Sequence, residues 1–431
     1  MWLPHGPVRR RDDEPIFYGW VIVGAAGVIS FVEVAFFNPV LGVFLRPLAR
    51  DFGWSRAAVS ASISLGTLGA AFLGPLLGPY LDRRGPRLPL TIAVTAAAGC
   101  AFALAGVRAL WQFDLLFGVG RALTVGVIDV CLTVTVAKWF VAERGRALSI
   151  TVLSQRLGFA ALPLLAQLFV LNGDWRQAWI ALGLLICGLA LVPALLIQGS
   201  PETRGLRPDG APATLTALQQ AARHGRRPIP GVATSDLTLH QALRTGAFWL
   251  VTAATTQALL AQGAVNLHQL PHLEDRGIPP AIAALAVSVF AIAGAVGALL
   301  SAWPRRWFGS RRAFGFYLFT STGGLLILIG VHAIWQAFAF ALIYGLSFGG
   351  QLTMLTVIYA DLFGRTHLGA IRGVAIPVQL AGNAIGPVFA GWVYDRSGSY
   401  VIAFSTFAVL YVLAGACCLA ARDPAAAMTS P

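Results

Sequence analysis

Four charged residues stand inside long apolar runs of the sequence, namely Glu33, Arg121, Asp129 and Arg156. A full charge at the centre of a lipid bilayer costs about 2.5–3.5 kcal/mol on insertion scales, so such a residue normally faces a cavity and has a partner. The planar fork of an arginine can hold a carboxylate through two parallel hydrogen bonds, and a carboxyl group can carry a proton. These residues therefore indicate either an anion site beside a proton-carrying acid, or ion pairs that only tie helices together.

The composition places those charges in a membrane protein. The chain has 431 residues, of which 57% are hydrophobic and only 11% are charged, with a mean hydropathy of +0.72. A soluble domain averages about 25% charged residues, and so few charges cannot cover a water-exposed surface of this size. A soluble enzyme, a disordered chain and an extracellular disulfide scaffold are excluded together. The five cysteines all lie in apolar runs, which is typical of small buried side chains.

Runs long enough to cross a bilayer occur twelve times in the sequence. A transmembrane helix needs about 20 mostly apolar residues, whereas the strands of a membrane barrel are about 10 residues long and alternate in polarity. The observed runs are longer and uniformly apolar, which predicts an all-α integral membrane protein. They cover residues 17–45, 58–80, 88–108, 111–138, 146–171, 177–197, 246–270, 279–302, 313–332, 335–360, 371–392 and 400–421.

The basic residues predict the orientation. If the N-terminus is cytoplasmic and the sides alternate, 22 of the 31 Lys and Arg residues lie in cytoplasmic segments and 7 in external ones. Membrane proteins show this bias, so the net charge of +13 indicates a lipid bilayer rather than a nucleic acid as the partner. We expect a multi-pass protein of the bacterial inner membrane, with both termini in the cytoplasm.

The sequence divides into two related halves. The one long polar loop lies midway and predicts a linker between two groups of six helices. The predicted units are an N-terminal half, a linker, a C-terminal half and a cytoplasmic tail, over residues 1–197, 198–245, 246–421 and 422–431. Pro47, Asp51 and Gly53 recur 224 residues later, at Pro271, Asp275 and Gly277. A repeated half with the site between the two copies is the architecture of many secondary transporters.

The loop between the second and third runs carries a motif. Residues 78–87, Gly-Pro-Tyr-Leu-Asp-Arg-Arg-Gly-Pro-Arg, resemble the G-x-x-x-D-R-x-G-x-R signature of the major facilitator superfamily. More narrowly, the chain is similar to the bacterial branch of the monocarboxylate and oxalate transporter group. The segments that carry this similarity are Tyr18-Gly19-Trp20, Asp51 to Arg56, Trp139-Phe140, Arg144 to Ala147, Gly386-Pro387 and Tyr394-Asp395. The resemblance implies the major facilitator fold, with twelve transmembrane helices as two six-helix pseudo-repeats, and transport by alternating access.

Two departures prevent us from copying a substrate from that group. Its transporters of small carboxylates generally have an arginine in the eighth helix, but residues 279–302 contain no charged residue. The second-half counterpart of the motif loop carries four arginines without the expected aspartate; these are Arg305, Arg306, Arg311 and Arg312. An anionic substrate would therefore be held by other residues.

The candidate site residues follow from charge, depth and helical phase. At about 1.5 Å per residue, Arg121 and Arg156 each lie about 15 Å inside their helices, and Glu33 lies in the middle of the first. Amides and one tyrosine extend the polar lining, although amides often only join membrane helices. The predicted substrate-binding residues are Arg121, Gln155, Arg156, Gln257, Gln262, Asn266, Tyr344, Gln351, Gln379 and Asn383. The predicted proton-coupling residues are Glu33, Asp129 and His268.

A further set of charges, Asp82, Arg83, Arg87, Arg144 and Arg372, is predicted to form a cytoplasmic gate. No cofactor and no metal are expected, because the sequence carries no phosphate-binding loop, metal cluster or catalytic constellation. The sequence thus predicts a transporter, not an enzyme, that carries a small organic anion such as a carboxylate, with a proton as co-substrate, and acts as a monomer. A proton-coupled exporter of hydrophobic or cationic compounds and a non-transporting membrane sensor are the alternatives left open.

Overall fold

A computed structural model describes residues 17–140, 143–204, 206, 209, 237–364 and 366–421, apart from the side chains of Pro75, Asp82, Thr203, Arg204 and Thr356. Both chain ends and most of the predicted linker therefore lie outside the described residues. The described residues fold into twelve long helices in two groups of six. The predicted all-α fold with two six-helix repeats is confirmed.

The first six helices form the N-terminal half, and two of them are interrupted. Span 1 consists of Tyr18–Val32 and Asn38–Phe52, joined by a 3-10 turn at Glu33–Phe36. Span 4 consists of Leu110–Leu123 and Asp129–Trp139, on either side of a π-helical turn at Thr124–Ile128. The other four are span 2 (Arg56–Arg84), span 3 (Arg87–Leu104), span 5 (Arg144–Leu171) and span 6 (Trp175–Leu196).

The last six helices form the C-terminal half. They are span 7 (Gly246–Asp275), span 8 (Pro280–Leu300), span 9 (Ala302–Ile329), span 10 (Ile334–Phe363), span 11 (Leu368–Ser397) and span 12 (Val401–Ala420). Span 9 is interrupted by a kink at Gly309, where the backbone is not helical (φ 75°, ψ 168°). In the described part of the chain, eleven helices are long and apolar enough to cross a membrane by length and composition. The exception is span 7, which has 30 residues but carries amides and histidines among its apolar side chains. Two short helices, Pro201–Arg204 and Leu239–Leu243, lie between the halves in sequence.

Matched glycines show the internal repeat in the backbone itself. Gly53 and Gly277 lie 224 residues apart, and each follows a span with a positive φ, of 67° and 84°. Gly85 and Gly309 are also 224 residues apart and have φ angles of 77° and 75°. Glycine adopts this conformation at little steric cost, so both halves use it at equivalent turns.

The helix ends define two sides of the molecule. We call the side at which spans 1 and 7 begin the linker side, and the opposite one the far side. Among the described residues, the polar contacts between the halves cluster toward the far side, where spans 1 and 2 meet the ends of spans 7 and 11. The two halves are therefore closed against each other at the far side.

Candidate functional site

The break in span 1 places Glu33 at mid-depth beside an irregular backbone. The chain tightens into a 3-10 turn and then extends at Phe37, with φ −100° and ψ 164°. The second helix restarts at Asn38, where Pro39 in the first turn needs no hydrogen-bond acceptor for an N–H. A break inside a membrane is tolerated only where protein or a cavity satisfies the freed backbone groups. The apolar run predicted a continuous helix here, and the Asn38-Pro39 pair was the available signal of the restart.

Arg121 satisfies one of these freed backbone groups. A terminal nitrogen of its guanidinium donates to the carbonyl of Phe36 at 3.1 Å, and its Nε donates to the hydroxyl of Thr67 on span 2, also at 3.1 Å. Gly66 allows this approach, because a Cβ there would lie only 2.7 Å from the Cβ of Arg121. Arg121 thus ties spans 1, 2 and 4 together in addition to being a predicted ligand.

The π turn in span 4 brings Arg121 and Asp129 toward one face of the helix. On a regular α-helix, their separation of eight residues corresponds to about 80° around the axis. A π turn accommodates one extra residue, which removes about 100° and leaves the two side chains within about 20° of each other. Arg121 nevertheless bonds to neutral oxygens rather than to Asp129. Such turns are frequent at functional sites, and this one lies at the depth of the break in span 1.

Glu33 is bonded to an amide rather than to an arginine. Its Oε1 accepts a hydrogen bond of 2.7 Å from Nε2 of Gln155 on span 5. The side chain is buried, and its Oε2 has no hydrogen-bond partner among the described residues. The ion pairs that would tie spans 1, 4 and 5 together are therefore not formed by Glu33 in this conformation. Because Gln155 precedes Arg156, one turn of span 5 contacts the acid and carries the second arginine.

Arg156 is half-buried and lies between two aromatic rings. Its guanidinium carbon is 5.3 Å from the ring centroid of Phe159 and 5.3 Å from that of Phe348. Its Nε is enclosed and has no hydrogen-bond partner within the described part of the structure. Phe348 belongs to span 10, so the cationic group lies where the two halves meet. A guanidinium at this depth that has no carboxylate partner is suited to bind an anionic ligand.

Four predicted ligands form hydrogen bonds to other helices of the C-terminal half. Gln262 and Gln351 are buried and joined by a 2.7 Å hydrogen bond. Gln379 is buried and donates to hydroxyls on spans 7 and 10, and the hydroxyl of Tyr344 lies 2.7 Å from one on span 12. These four side chains join helices to one another, as polar groups between membrane helices often do. In this conformation the four side chains are almost fully buried and hydrogen-bonded, so we propose that they stabilise helix packing, and their role as ligands stays a prediction.

Three amides of the C-terminal half are only half-buried, as we expect of residues that bind a ligand. Gln257 and Asn266 on span 7 are half-buried, and one side-chain oxygen of each has no partner among the described residues. Asn383 on span 11 is also half-buried and donates to a backbone carbonyl of span 7 at 3.1 Å. It mirrors Gln155, which lies 228 residues earlier and also reaches from the fifth helix of its half to the first. These three residues stay predicted ligands.

Sequence reasoning missed Arg56, which closes the far side. Its guanidinium donates to both carboxylate oxygens of Asp275, at 2.7 and 3.1 Å, and to the hydroxyl of Tyr400 at 2.8 Å. It also lies 3.6 Å from the ring centroid of Tyr394, and the side chain is only 8% exposed. The recurrence of Asp51 as Asp275 was a signal that this position matters, although nothing in the sequence identified its partner.

His268 belongs to this far-side network. Its Nε2 lies 2.8 Å from the carbonyl of Pro387, which can only accept, so Nε2 donates. Its Nδ1 lies 2.9 Å from the hydroxyl of Tyr400, which accepts from Arg56 and donates onward to the ring. A directional chain thus runs from Arg56 in the N-terminal half into the C-terminal half. The structure leaves the predicted proton role of His268 untested.

Asp395 adds a second connection at the far side. Its two carboxylate oxygens accept from the backbone nitrogens of Arg56 and Ala57, both at 2.9 Å. A carboxylate of span 11 therefore caps the N-terminus of span 2, where a negative charge is favoured by the helix dipole. A weaker pair joins Arg46 and Glu274 at 3.1 Å, with the arginine 46% exposed.

The predicted gate residues of the linker side lie apart from this network. Arg83 and Arg87 are exposed and line a cavity of about 520 Å³ at the ends of spans 2 and 3. Arg144 donates to the carbonyl of Phe140, which directly follows span 4, at 3.1 Å, and to that of Ala137 in the last turn of span 4, at 2.9 Å. Arg372 is half-buried, and its Nε has no partner among the described residues. The side chain of Asp82 lies outside the described residues.

The site at mid-depth is built from arginines, amides and carboxyl groups. Within the described ranges, no group of three or more His, Cys, Asp or Glu side chains could hold a metal ion. The chemistry that these residues offer is reversible binding through charge and hydrogen bonds, together with proton exchange at a carboxyl group.

The family is decided by a comparison of the whole sequence. The sequence matches the Major Facilitator Superfamily over residues 23–375 and again over residues 264–431. The chain belongs to this superfamily. The predicted resemblance to the major facilitator superfamily is confirmed.

Relatives within the superfamily agree with the narrower resemblance. Monocarboxylate transporter 13 of Rattus norvegicus is 27% identical over 417 residues, covering 95% of this chain and 90% of that one. The gallate transporter of Pseudomonas putida is 28% identical over 355 residues, covering 75% and 76%. The crystal structure of a bacterial homologue of the human lysosomal transporter Spinster superposes with a TM-score of 0.69 at 15% identity, covering 94% of this chain and 97% of that one. The protein is thus a multi-pass membrane protein, and the three similar proteins named here are transporters.

Proposed function

We propose that the protein is a secondary transporter of a small organic anion with a carboxylate group, working by alternating access. The observation that carries this proposal is Arg156, a mid-depth cation that lies where the two halves meet and has no carboxylate partner among the described residues. The planar guanidinium binds a carboxylate through two parallel hydrogen bonds. Monocarboxylate and gallate, which the names of two relatives specify, are both carboxylates.

The neighbourhood of Glu33 supports the proposal of proton coupling. Its Oε2 is enclosed without a hydrogen-bond partner among the described residues, so the carboxyl group can take up a proton without breaking an ion pair. Gln155, which donates to Glu33, is adjacent in sequence to Arg156. An anion that moves Arg156 therefore also moves the donor of Glu33, which links substrate binding to the proton.

The orientation of the protein comes from its basic residues. The linker side carries the excess of arginine, so we propose that it faces the cytoplasm and that both termini lie there. The far side is then external, and the structure has its external gate closed by Arg56 and Asp275. We propose a monomer, because each chain holds both halves that alternating access needs.

Uptake into proteoliposomes tests the proposal. The purified protein is reconstituted, and accumulation of labelled carboxylates is measured with and without an inward proton gradient. Arg156→Gln should abolish uptake, whereas Arg50→Gln, which changes an arginine that is 87% exposed at the far side, should keep it within about twofold. Normal carboxylate uptake by Arg156→Gln would remove this residue from the site. Uptake of a lipophilic cation in the absence of any carboxylate transport would favour the alternative exporter, with Glu33 as the binding charge.

A further inference from the structure

The aromatic rings around Arg156 form a continuous apolar wall. Phe159 and Phe348 cover the guanidinium, each with its ring centroid 5.3 Å from the central carbon. Phe37, in the break of span 1, packs edge-on against Phe159 with the ring centroids 5.4 Å apart. The guanidinium carbon of Arg121 lies 5.4 Å from the ring centroid of Phe37. Both mid-depth arginines therefore border the same aromatic surface.

The wall extends into the C-terminal half through Phe348. The ring of Phe290 on span 8 lies 5.2 Å from that of Phe348, and Phe348 itself is 5% exposed. Phe348 thus reaches across from span 10 to the arginine of span 5 and is supported from behind. A ligand whose carboxylate meets the edge of Arg156 has the rest of its body against ring faces and ring edges.

This arrangement favours a flat ligand over a bulky or a very small one. Aromatic pairs in offset-stacked or edge-to-face geometry are stabilised beyond the area they bury, by an amount that corresponds to about 3–10-fold in affinity. A small hydrophilic acid would make few apolar contacts with the rings of Phe37, Phe159 and Phe348. A saturated ring of the same size would bury similar area but could not offer a π face.

We infer that the transported anion is an aromatic carboxylate, and that Phe348 determines this specificity. This inference rests on the proposed function, because it assigns the body of the same anion whose carboxylate binds Arg156. Phe348 selects the ring, and Arg156 holds the charge. Phe348 lies where the two halves meet, so the preference for an aromatic ring applies in every transport cycle.

Competition assays separate the contribution of the ring from that of the charge. Uptake of labelled benzoate into proteoliposomes is inhibited with unlabelled benzoate, cyclohexanecarboxylate and lactate. Benzoate should bind about 3–10-fold more tightly than cyclohexanecarboxylate, and lactate should bind more weakly than both. Phe348→Leu should weaken the binding of benzoate by about 3–10-fold and change the binding of cyclohexanecarboxylate by no more than about twofold. Phe348→Tyr keeps the ring and should restore the preference.

A matched control is available in the same half. Phe340 is also buried, at 1% exposed against 5% for Phe348, and stacks on Tyr344, so Phe340→Leu removes a ring of span 10 away from Arg156 and should not change the preference. Equal inhibition by benzoate and cyclohexanecarboxylate in the wild type, or an equal loss of both in Phe348→Leu, would overturn the inference while carboxylate transport stands. If no carboxylate is transported at all, the proposed function itself fails.

Discussion

Arg56 and Asp275 join the two halves of the transporter through two hydrogen bonds, at 2.7 and 3.1 Å. The arginine side chain is only 8% exposed and the carboxylate 21%, so the pair is largely withdrawn from solvent. Removing one partner of a buried ion pair typically costs about 3–5 kcal/mol, because the other charge is left uncompensated. This cost is comparable to the few kcal/mol that separate two conformations of a protein. The pair is therefore strong enough to decide whether the far side is closed.

Asp275→Asn is expected to open the far side. A suitable reporter is Ser60→Cys on span 2, which replaces a fully buried residue, in a background without the five native cysteines. Labelling of this cysteine by a membrane-impermeant maleimide from the far side should be at least about tenfold faster in the Asp275→Asn background.

The control for that variant is Arg50→Gln. Arg50 lies 3.6 Å from Asp51 at the same side, but its side chain is 87% exposed, and exposed pairs contribute about 0–1 kcal/mol. Its labelling rate should stay within about twofold of the parent. An Asp275→Asn protein that labels no faster than the parent would show that closure depends on helix packing and not on this pair.

The repeat and the helices could be predicted from sequence because they depend on local pattern. Apolar runs of sufficient length predict spans, and the 224-residue recurrence of Gly53 as Gly277 is matched by equal backbone geometry. The break at Glu33 was not predicted, because hydropathy treats residues 17–45 as one run. The Asn38-Pro39 pair is compatible with either a helix interior near a kink or a new first turn.

The partners of charged residues could not be predicted, because they are set by packing between distant parts of the chain. Arg56 lies 219 residues before Asp275, in a predicted external segment. Depth in the membrane identifies only charges inside apolar runs as candidates, so it does not identify Arg56. Conversely, Gln351 has the residue type and depth of a ligand. Only the packing of span 7 against span 10 shows that its side-chain oxygen accepts a hydrogen bond from Gln262. Residue type and helical phase predict that a side chain is polar and buried, but they do not predict what it contacts.

Gln351→Leu should destabilise the protein without changing substrate affinity. The side-chain oxygen of Gln351 accepts a 2.7 Å hydrogen bond from Nε2 of Gln262, and its Nε2 donates to the hydroxyl of Ser321 at 2.5 Å, so the substitution leaves buried polar atoms unpaired. Each such atom costs about 1–3 kcal/mol. Thermal unfolding in detergent should shift down by several degrees, while the KM for the carboxylate stays within about twofold.

Gln257→Leu is the counterpart that should behave in the opposite way. Gln257 is half-buried, and its Oε1 has no partner among the described residues, so the substitution unpairs little. Its KM should rise severalfold with little change in unfolding temperature. If Gln351→Leu instead raises the KM at unchanged stability, Gln351 returns to the list of ligands.

Measurements of thermal unfolding and ligand binding should distinguish the roles of the two mid-depth arginines. Arg121→Gln leaves the carbonyl of Phe36 and the hydroxyl of Thr67 without their donor, so it should lower the unfolding temperature by several degrees. Arg156→Gln removes no hydrogen bond to a described residue and should unfold within a degree or two of the wild type. Added carboxylate should raise the unfolding temperature of the wild type but not that of Arg156→Gln, because a variant that cannot bind the ligand is not stabilised by it. A ligand-induced shift that survives in Arg156→Gln but disappears in a folded Arg121→Gln protein would exchange the two roles.

Glu33→Gln should uncouple transport from the proton gradient. The carboxyl group of Glu33 accepts from Gln155, and its Oε2 lacks a hydrogen-bond partner in the described structure, so a proton can be bound and released there as span 5 responds to the anion. The amide of the variant has nearly the same shape but cannot exchange a proton, so binding and the movement of the halves should persist. Counterflow exchange of labelled carboxylate should therefore stay within about threefold of the wild type, whereas accumulation driven by a proton gradient should be lost.

Asp129→Asn decides which acid carries the coupling. Asp129 lies beyond the π turn of span 4 and is half-buried, so it is the other acid at this depth that a proton could use. If Glu33 is the coupling residue, Asp129→Asn should still accumulate substrate in a proton gradient. Loss of accumulation in Asp129→Asn with normal accumulation in Glu33→Gln would assign the proton to Asp129. Normal accumulation in both variants would exclude either acid as the coupling group, and anion exchange would then explain the movement of substrate through Arg156.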